Sequence, residues 1–486
     1  MKNAVFIAVG IFSFFVLFIL SGQLTNPYSR ITWISAPFHT SVDKNGEIVL
    51  QQTAPVHFTD NFFAKKFASI NQSSRFVFST LFPEQPFSGN ENEIIAKIHT
   101  QSFNPTKPYV ISGTHFSDMY VRNLGIQYNA VLDNRIATDK TDWLNRQEAM
   151  LQGVALNLEL LQQAGREYTT FMPLPNNYYA ATNVYTNPSD SLFGVLYALS
   201  ALSDETFIHT LYPTTTTQAY PLQTKQAAAM LLKKYKPTLQ KAITDYQNQI
   251  VDQQTGLIRK DITLASARDG IKRQSSFYDN VILWGTIRMS QNLGILEKKQ
   301  DMQAWKEKII SAFWDEKDGL FLDDLSTESQ NEKRFSGDSF IVTGSGLFDL
   351  KNTQDRTKLR RMIAYVQNNK FDQPFPLRYA EKDHPENLYW PVRTFAPSYM
   401  GETIWSNWGL EYIKALILLS PEDKILLQTA NKYLTSYKNN IERTGGYPEL
   451  YDTSGNMYNT LFYHSILHTS WVVDYEEAKM LIQDAK

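Results

Sequence analysis

Carboxylates and guanidinium groups set in loops rich in glycine, proline and aromatic residues are the chemistry-bearing feature of this sequence. Near the C-terminal end, "RTGGYPELYDTSGN" places Glu449 after Gly445, Gly446 and Pro448, with Tyr447 beside it. Glycine permits backbone angles that other residues resist, and proline removes a donor from any helix or central strand. The segment is therefore a shaped loop. Glu449 is either a solvated loop acid or a carboxylate that the loop exists to place. In "GTHFSDMYVRNLG", Asp118, Tyr120 and Arg122 alternate, which on an extended stretch sets them on one face. The spacing fits a surface ion pair ahead of a helix, and it equally fits a carboxylate–guanidinium clamp on a vicinal diol. "LASARDGIKRQSSFYDNVILWG" puts Asp269 in an Asp-Gly turn and Asp279 in the first turn of a helix capped by Ser275 or Ser276. The helix dipole alone favours a carboxylate at Asp279, so Asp269 is the freer of the two to face a pocket. In "YWPVRTFAPSYMGETIWSNW", Trp390, Trp405 and Trp408 stand beside Arg393, Tyr399 and Glu402. Three tryptophans amid Gly, Pro and Asn suit a pocket wall more than a helix-packing face.

Other chemistries are disfavoured by what the chain lacks. His464 and His468 are four apart, but no glutamate stands in the H-E-x-x-H position, so no metal is expected there. "DEKDGLFLDD" is acidic enough to raise calcium, yet it lacks EF-hand spacing and reads better as a turn. No cofactor is expected. With Cys 0, disulfides, zinc–thiolate sites and a cysteine nucleophile are excluded. There is no G-x-S-x-G, Walker loop or dinucleotide glycine pattern. A net charge of -2 without a basic run speaks against nucleic acid. Hydrolysis by two carboxylates is what remains for a helical domain with acidic, aromatic loops.

Those loops need helices to hold them. "DWLNRQEAMLQGVALNLELLQQAG" sets Leu144, Leu151, Val154, Leu158 and Leu161 on one face and ends at Gly165 as a C-cap. Similar patterns predict helices over 190–202, 223–251, 276–293, 301–313, 355–368, 402–419, 422–440 and 459–483. "PLPNNYY", "DEKDGLFLDD" and "YPELYDTSGN" are loops between them, and no strand alternation of comparable length is evident after residue 113. A closed ring of helical hairpins fits this rhythm, because closure buries both ends. Residues 31–110, with prolines at 55, 83, 86, 105 and 108, read as extended, with some strand and no helix. The N-terminus carries Lys2 ahead of an uncharged run, Ala4 to Leu20, about 26 Å long as a helix. No small-residue cleavage site follows it, which favours an uncleaved anchor over a signal peptide. The expected division is an anchor or signal segment over 1–25, an N-terminal extension over 26–112 and a helical domain over 113–486.

In order, the motifs resemble the six-hairpin glycosidases: the glucoamylase, trehalase, processing-glucosidase and amylo-1,6-glucosidase families. "SYMGETIWSNW" looks like the aromatic stretch of the glycogen-debranching type, and "YPELYDTSGN" with "FYHSILHTSWVV" looks like its glutamate loop and following helix. "FWDEKDGLFLDD" is similar to a turn common in these proteins, and "SSFYDNVILWGTI" to the helix after the general-acid loop. The resemblance covers about residues 113–480 and implies an all-α (α/α)6 toroid. It places Glu449 on the general base and Asp269 on the general acid. It places Asp118 and Arg122 on the subsite loop, with Trp405 on the sugar-facing wall. Arg122 is followed by Asn123 where the family has aspartate, and "SARDG" departs from the usual acid loop. The resemblance implies an inverting hydrolase of α-glucosidic or related bonds. It would be monomeric and extracytoplasmic, taking an oligo- or polysaccharide and meeting the membrane through its N-terminal segment. Substrate contacts are expected from Asp118, Tyr120, Arg122, Trp390, Arg393, Glu402, Trp405, Trp408 and Tyr447. A non-catalytic saccharide binder of the same fold is the alternative. A lyase or epimerase acting on acidic sugars would want more basic residues at the cleft.

Overall fold

The computed structural model describes residues 35–485 except 43, 45–47, 105, 114, 126–130, 132, 134, 136, 138, 184–186, 205, 213–221 and 269, together with 13, 16–18, 20 and 21. The apolar run at the N-terminus thus lies largely outside the described residues. Among those described, no helix is long and apolar enough to cross a membrane.

The longer helices are α1 (Phe62–Leu81), α2 (Glu91–Ser102), α3 (Lys140–Ala164), α4 (Ser191–Ser203), α5 (Leu222–Ile250) and α6 (Phe277–Asn292). They continue with α7 (Met302–Phe313), α8 (Thr353–Asn368), α9 (Ser406–Leu419), α10 (Lys424–Thr444) and α11 (Val472–Asp484). Their ends follow local chemistry. The Asp301 carboxylate accepts from Ala304 N at 3.0 Å, and Ser276 Oγ accepts from Asp279 N at 3.0 Å. Gly165 and Gly445 close α3 and α10 with φ of 69° and 68°.

Two kinds of helix alternate. Helices α4, α6 and α9 are apolar on nearly every side and almost wholly buried. By contrast, α10 buries one stripe, Ala430, Tyr433, Leu434, Tyr437 and Ile441, and leaves the other face to solvent. The inner elements touch in succession: α4 meets α6, the turn Gly337–Phe340 with Ile341–Gly344 meets α6 and α9, and α9 meets α11. The outer helix α10 packs on α2, and Ser470 N donates to Ser112 O at 3.0 Å, so the last elements meet the first. A short 3-10 turn at Val121–Leu124 packs on α4.

Three expectations are corrected. Residues 31–110 contain α1 and α2. The buried face of α1 is Ala68, Asn71, Ser74, Arg75 and Ser79, so no apolar stripe announces it. For α2 the signal was present in the sequence: Asn90 and Glu93 form a full capping box. Residues 170–182 form a hairpin, Thr170–Leu174 with Tyr178–Thr182, in a four-stranded sheet that also takes His57–Thr59 and Met119–Tyr120. "PLPNNYY" is therefore half strand, turning where Asn176 and Asn177 adopt positive φ. Finally, residues 459–471 are not helical and α9 begins at Ser406, behind the strand Ile404–Trp405. "DEKDGLFLDD" is a turn between Trp314–Asp315 and Leu320–Phe321, with Gly319 at φ 75°.

Candidate functional site

Glu449 sits where three segments converge. Behind it, Gly445 ends α10 in the left-handed region, and its carbonyl accepts from Phe87 N at 2.8 Å. A Cβ on Gly446 would lie 2.4 Å from the Leu467 carbonyl oxygen, so only glycine fits there. Ahead of it, Leu450–Tyr451 pairs antiparallel with Ile404–Trp405, and the Glu449 carbonyl accepts from both Ser406 N and Ser406 Oγ. These bonds hold the backbone on both sides of the carboxylate.

The side chain is held as firmly. It is 1% exposed; Tyr399 Oη donates to Oε1 at 2.7 Å and Tyr463 Oη to Oε2 at 2.6 Å. Burial, reinforced by the neighbouring Glu449, pushes both phenols well above their ordinary pKa, so they keep their protons and donate at neutral pH. The tyrosine rings pack edge to face with centroids 5.1 Å apart. Trp405 lies edge-on to Tyr399 and donates its indole N–H to the Tyr399 carbonyl at 2.7 Å. Below Tyr463, His115 packs at 5.4 Å; burial drives its pKa down to about 3, leaving it neutral. Glu84 fixes the far segment, accepting from Leu467 N at 2.6 Å and facing His468 at 3.5 Å. Tyr463→Phe removes one charge-assisted hydrogen bond and should cost about 1.5–3 kcal/mol of stability, read by urea denaturation against the wild type.

An aromatic path leads from Glu449 toward the ring interior. Trp405 packs on Tyr379 at 5.3 Å, Tyr379 on Trp408 at 6.2 Å, and Trp408 on Tyr278 at 5.9 Å. It ends at a buried cavity of about 30 Å³ bordered by Arg122, Asp190, Tyr278, Asn407, Trp408 and Glu411. That is room for one or two waters. Arg122 lies 3.4 Å from Asp190, which also accepts from Tyr278 Oη at 3.3 Å.

Beside this path runs a fully buried ionic network. Arg268 binds Asp323 at 2.7 Å, and Arg273 bridges Asp323 and Asp338 at 3.2 and 2.8 Å. Burial alone would raise the Asp323 pKa, but the two guanidinium groups hold it below the ordinary carboxylate range. Arg268 also donates to the Met400 carbonyl at 2.7 and 3.1 Å, and Gly270 N donates to Met400 Sδ at 3.2 Å. Arg268 and Gly270 are thereby fixed to the segment that carries Tyr399. Asp269 itself lies outside the described residues.

The other singled-out residues divide by position. Asp118 is buried in a two-pronged pair with Arg75, and Tyr120 Oη accepts from Gln72 Nε2 at 2.8 Å. Arg122 and Trp408 border the cavity. Tyr447 is fully buried and stacks on Tyr437 at 6.0 Å, behind the Glu449 loop. Trp390 and Arg393 stand exposed on the short helix Trp390–Phe395, and Glu402 is half-buried beside Asp383. His464 and His468 do not share a helix face; His468 stacks on Phe87 at 4.0 Å. Sequence reading passed over Tyr463, His115, Arg268, Arg273 and Asp338. The arginines of "SARDGIKR" were the available signal, since two cations beside an apolar helix demand buried partners.

Neither comparison with family models nor comparison with curated proteins gives a match. Among solved structures, the chain is similar to a rhamnosidase from Klebsiella oxytoca with rhamnose bound, at 12% identity and TM-score 0.48, over 80% of this chain and 64% of that one. The chain thus spans less than two thirds of the rhamnosidase. It is similar to a metal-independent alpha mannosidase, a Streptococcus pneumoniae complex with alpha-1,6-mannobiose, at 12% identity and TM-score 0.44 over 87% of this chain and 99% of that one. It is also similar to a D-mannose isomerase at 11% identity and TM-score 0.40 over 88% and 98%. These likenesses are broad and distant.

Proposed function

We propose that this chain is a carbohydrate-active enzyme, a glycoside hydrolase that inverts at the anomeric carbon, with Glu449 as general base and Asp269 as general acid. The observation that carries this reading is the Glu449 carboxylate, fixed through both oxygens by Tyr399 and Tyr463 against the Trp405 wall. Asp269 gives its proton to the glycosidic oxygen as the C–O bond breaks. Water, losing a proton to Glu449, attacks the anomeric carbon from the opposite face, which calls for carboxyls ~6.5–9.5 Å apart. The favoured substrate is an α-glucosidic oligo- or polysaccharide, handled outside the cytoplasm by a monomer tethered through residues 4–20.

The deep burial of Glu449 favours a second reading, a saccharide binder without turnover. One experiment separates the two. Purified full-length chain is incubated with a panel of α- and β-linked oligosaccharides, with products followed by anomer-resolved NMR and binding by calorimetry. Release of the inverted anomer is expected from at least one α-linked substrate. Heat of binding with no product from any substrate would leave the binder, and a retained anomer would remove the water-activating role of Glu449.

A further inference from the structure

Helix α1 presents a face that the ring does not use. At 100° per residue, Phe62, Phe63, Lys66, Ser69, Ile70 and Ser73 share one side of it, all exposed, opposite the buried Ala68, Asn71 and Arg75. Phe62 and Phe63 are 66% and 78% exposed and Ile70 is 46% exposed. Lys66 reaches back over the Phe62 ring at 5.5 Å, and Lys65 pairs loosely with Asp60 at 3.8 Å. Neighbouring phenylalanines interleaved with lysines match an interfacial helix, with rings in the headgroup layer and ammonium groups among lipid phosphates.

A second observation fixes the occupant. The uncharged run Ala4 to Leu20 ends against this same helix. The Asn71 side-chain amide donates to the Ser21 carbonyl, and Ser21 Oγ donates to Ser74 Oγ at 3.4 Å. Ser74 lies one turn beyond Ile70, so Ser21 meets α1 near Ile70 and ~16 Å along the helix from Phe63. A bilayer that takes residues 4–20 lies within a helix length of those side chains. We propose that α1 rests on the lipid surface, its Phe62–Phe63–Lys66–Ile70 face seated in the headgroup layer of an anionic bilayer. The proposal rests on reading residues 4–20 as a membrane anchor. It sets the orientation of the whole ring, with α1 turned to the membrane.

The chain has Cys 0, so single cysteines label cleanly. Full-length F63C and, as a control, I425C at the 67%-exposed Ile425 of α10 are labelled with an environment-sensitive dye and reconstituted into phosphatidylcholine–phosphatidylglycerol vesicles. Flotation reads the anchor, and quenching by lipid carrying a headgroup-level nitroxide reads the surface. Circular dichroism confirms that both variants fold. The expected result is several-fold stronger quenching at 63 than at 425 in floating protein, reduced in F63C carrying K65E and K66E. Equal or absent quenching at 63 in protein that floats would overturn the proposal while leaving the anchor standing. Protein that does not float removes the anchor reading and the proposal with it, whereas failure of hydrolysis touches neither readout.

Discussion

Glu449→Gln is expected to abolish measurable turnover, a loss of about 10²–10⁴-fold or more, while the protein folds and still binds saccharide. The amide is nearly the same size, so the packing of Tyr399, Tyr463 and Trp405 survives. What changes is the sign of one contact. Both oxygens of Glu449 accept tyrosine hydroxyls at 2.7 and 2.6 Å, and glutamine can accept through only one. The other tyrosine must rotate its proton away and accept from the amide. Because hydroxyl hydrogens turn freely, the cost should be about 1 kcal/mol, well short of unfolding. The loss of a proton acceptor has no such remedy. The test pairs the hydrolytic assay with calorimetric binding and thermal melting. Turnover retained by a well-folded Glu449→Gln protein would show that another group activates water.

That residue was legible because its loop is unusual at every position. Gly445 needs a positive φ, Gly446 has no room for a Cβ, and Pro448 keeps the loop out of regular structure. Its clamp was not legible. Tyr463 lies in "FYHSILHTSWVV", whose apolar residues recur at helical spacing, yet the segment is irregular. Thr460 N bonds the Tyr463 carbonyl, and residues 464–468 are tied to Glu84 and to the loop at Tyr447 and Tyr458. Tertiary partners from far along the chain override local periodicity there. The same holds for Asp118, whose alternation with Tyr120 and Arg122 was visible, whereas its partner Arg75 lies on a helix with no apolar stripe. Helices α3 to α8 were readable because most combine an apolar face with a cap residue.

Lys414→Met should destabilise the fold by about 3–5 kcal/mol, the largest stability effect expected here. Lys414 sits inside the apolar helix α9, with no exposed surface. Its ammonium group lies 2.6 Å from Glu411, 3.3 Å from Asp474 and 2.5 Å from Glu477, and 5.4 Å from the face of the Tyr212 ring. One cation among three buried carboxylates cannot offset three full charges. Burial raises the pKa of Asp474 and Glu477 above the ordinary range, against the pull of Lys414. Methionine fills the space but removes that pull, and Asp474 and Glu477 titrate still higher. A carboxylate whose folded pKa lies above its unfolded value favours the folded state below the unfolded pKa and loses that contribution as pH rises through the folded one. The deficit of Lys414→Met should therefore be smallest near pH 5 and grow toward pH 8, measured by urea denaturation across that range. Adding Glu411→Gln, Asp474→Asn and Glu477→Gln to Lys414→Met removes the uncompensated charges and should recover stability and flatten the pH dependence. A deficit that is independent of pH, or that the added amides do not relieve, would mean that Lys414 acts by packing and not by charge.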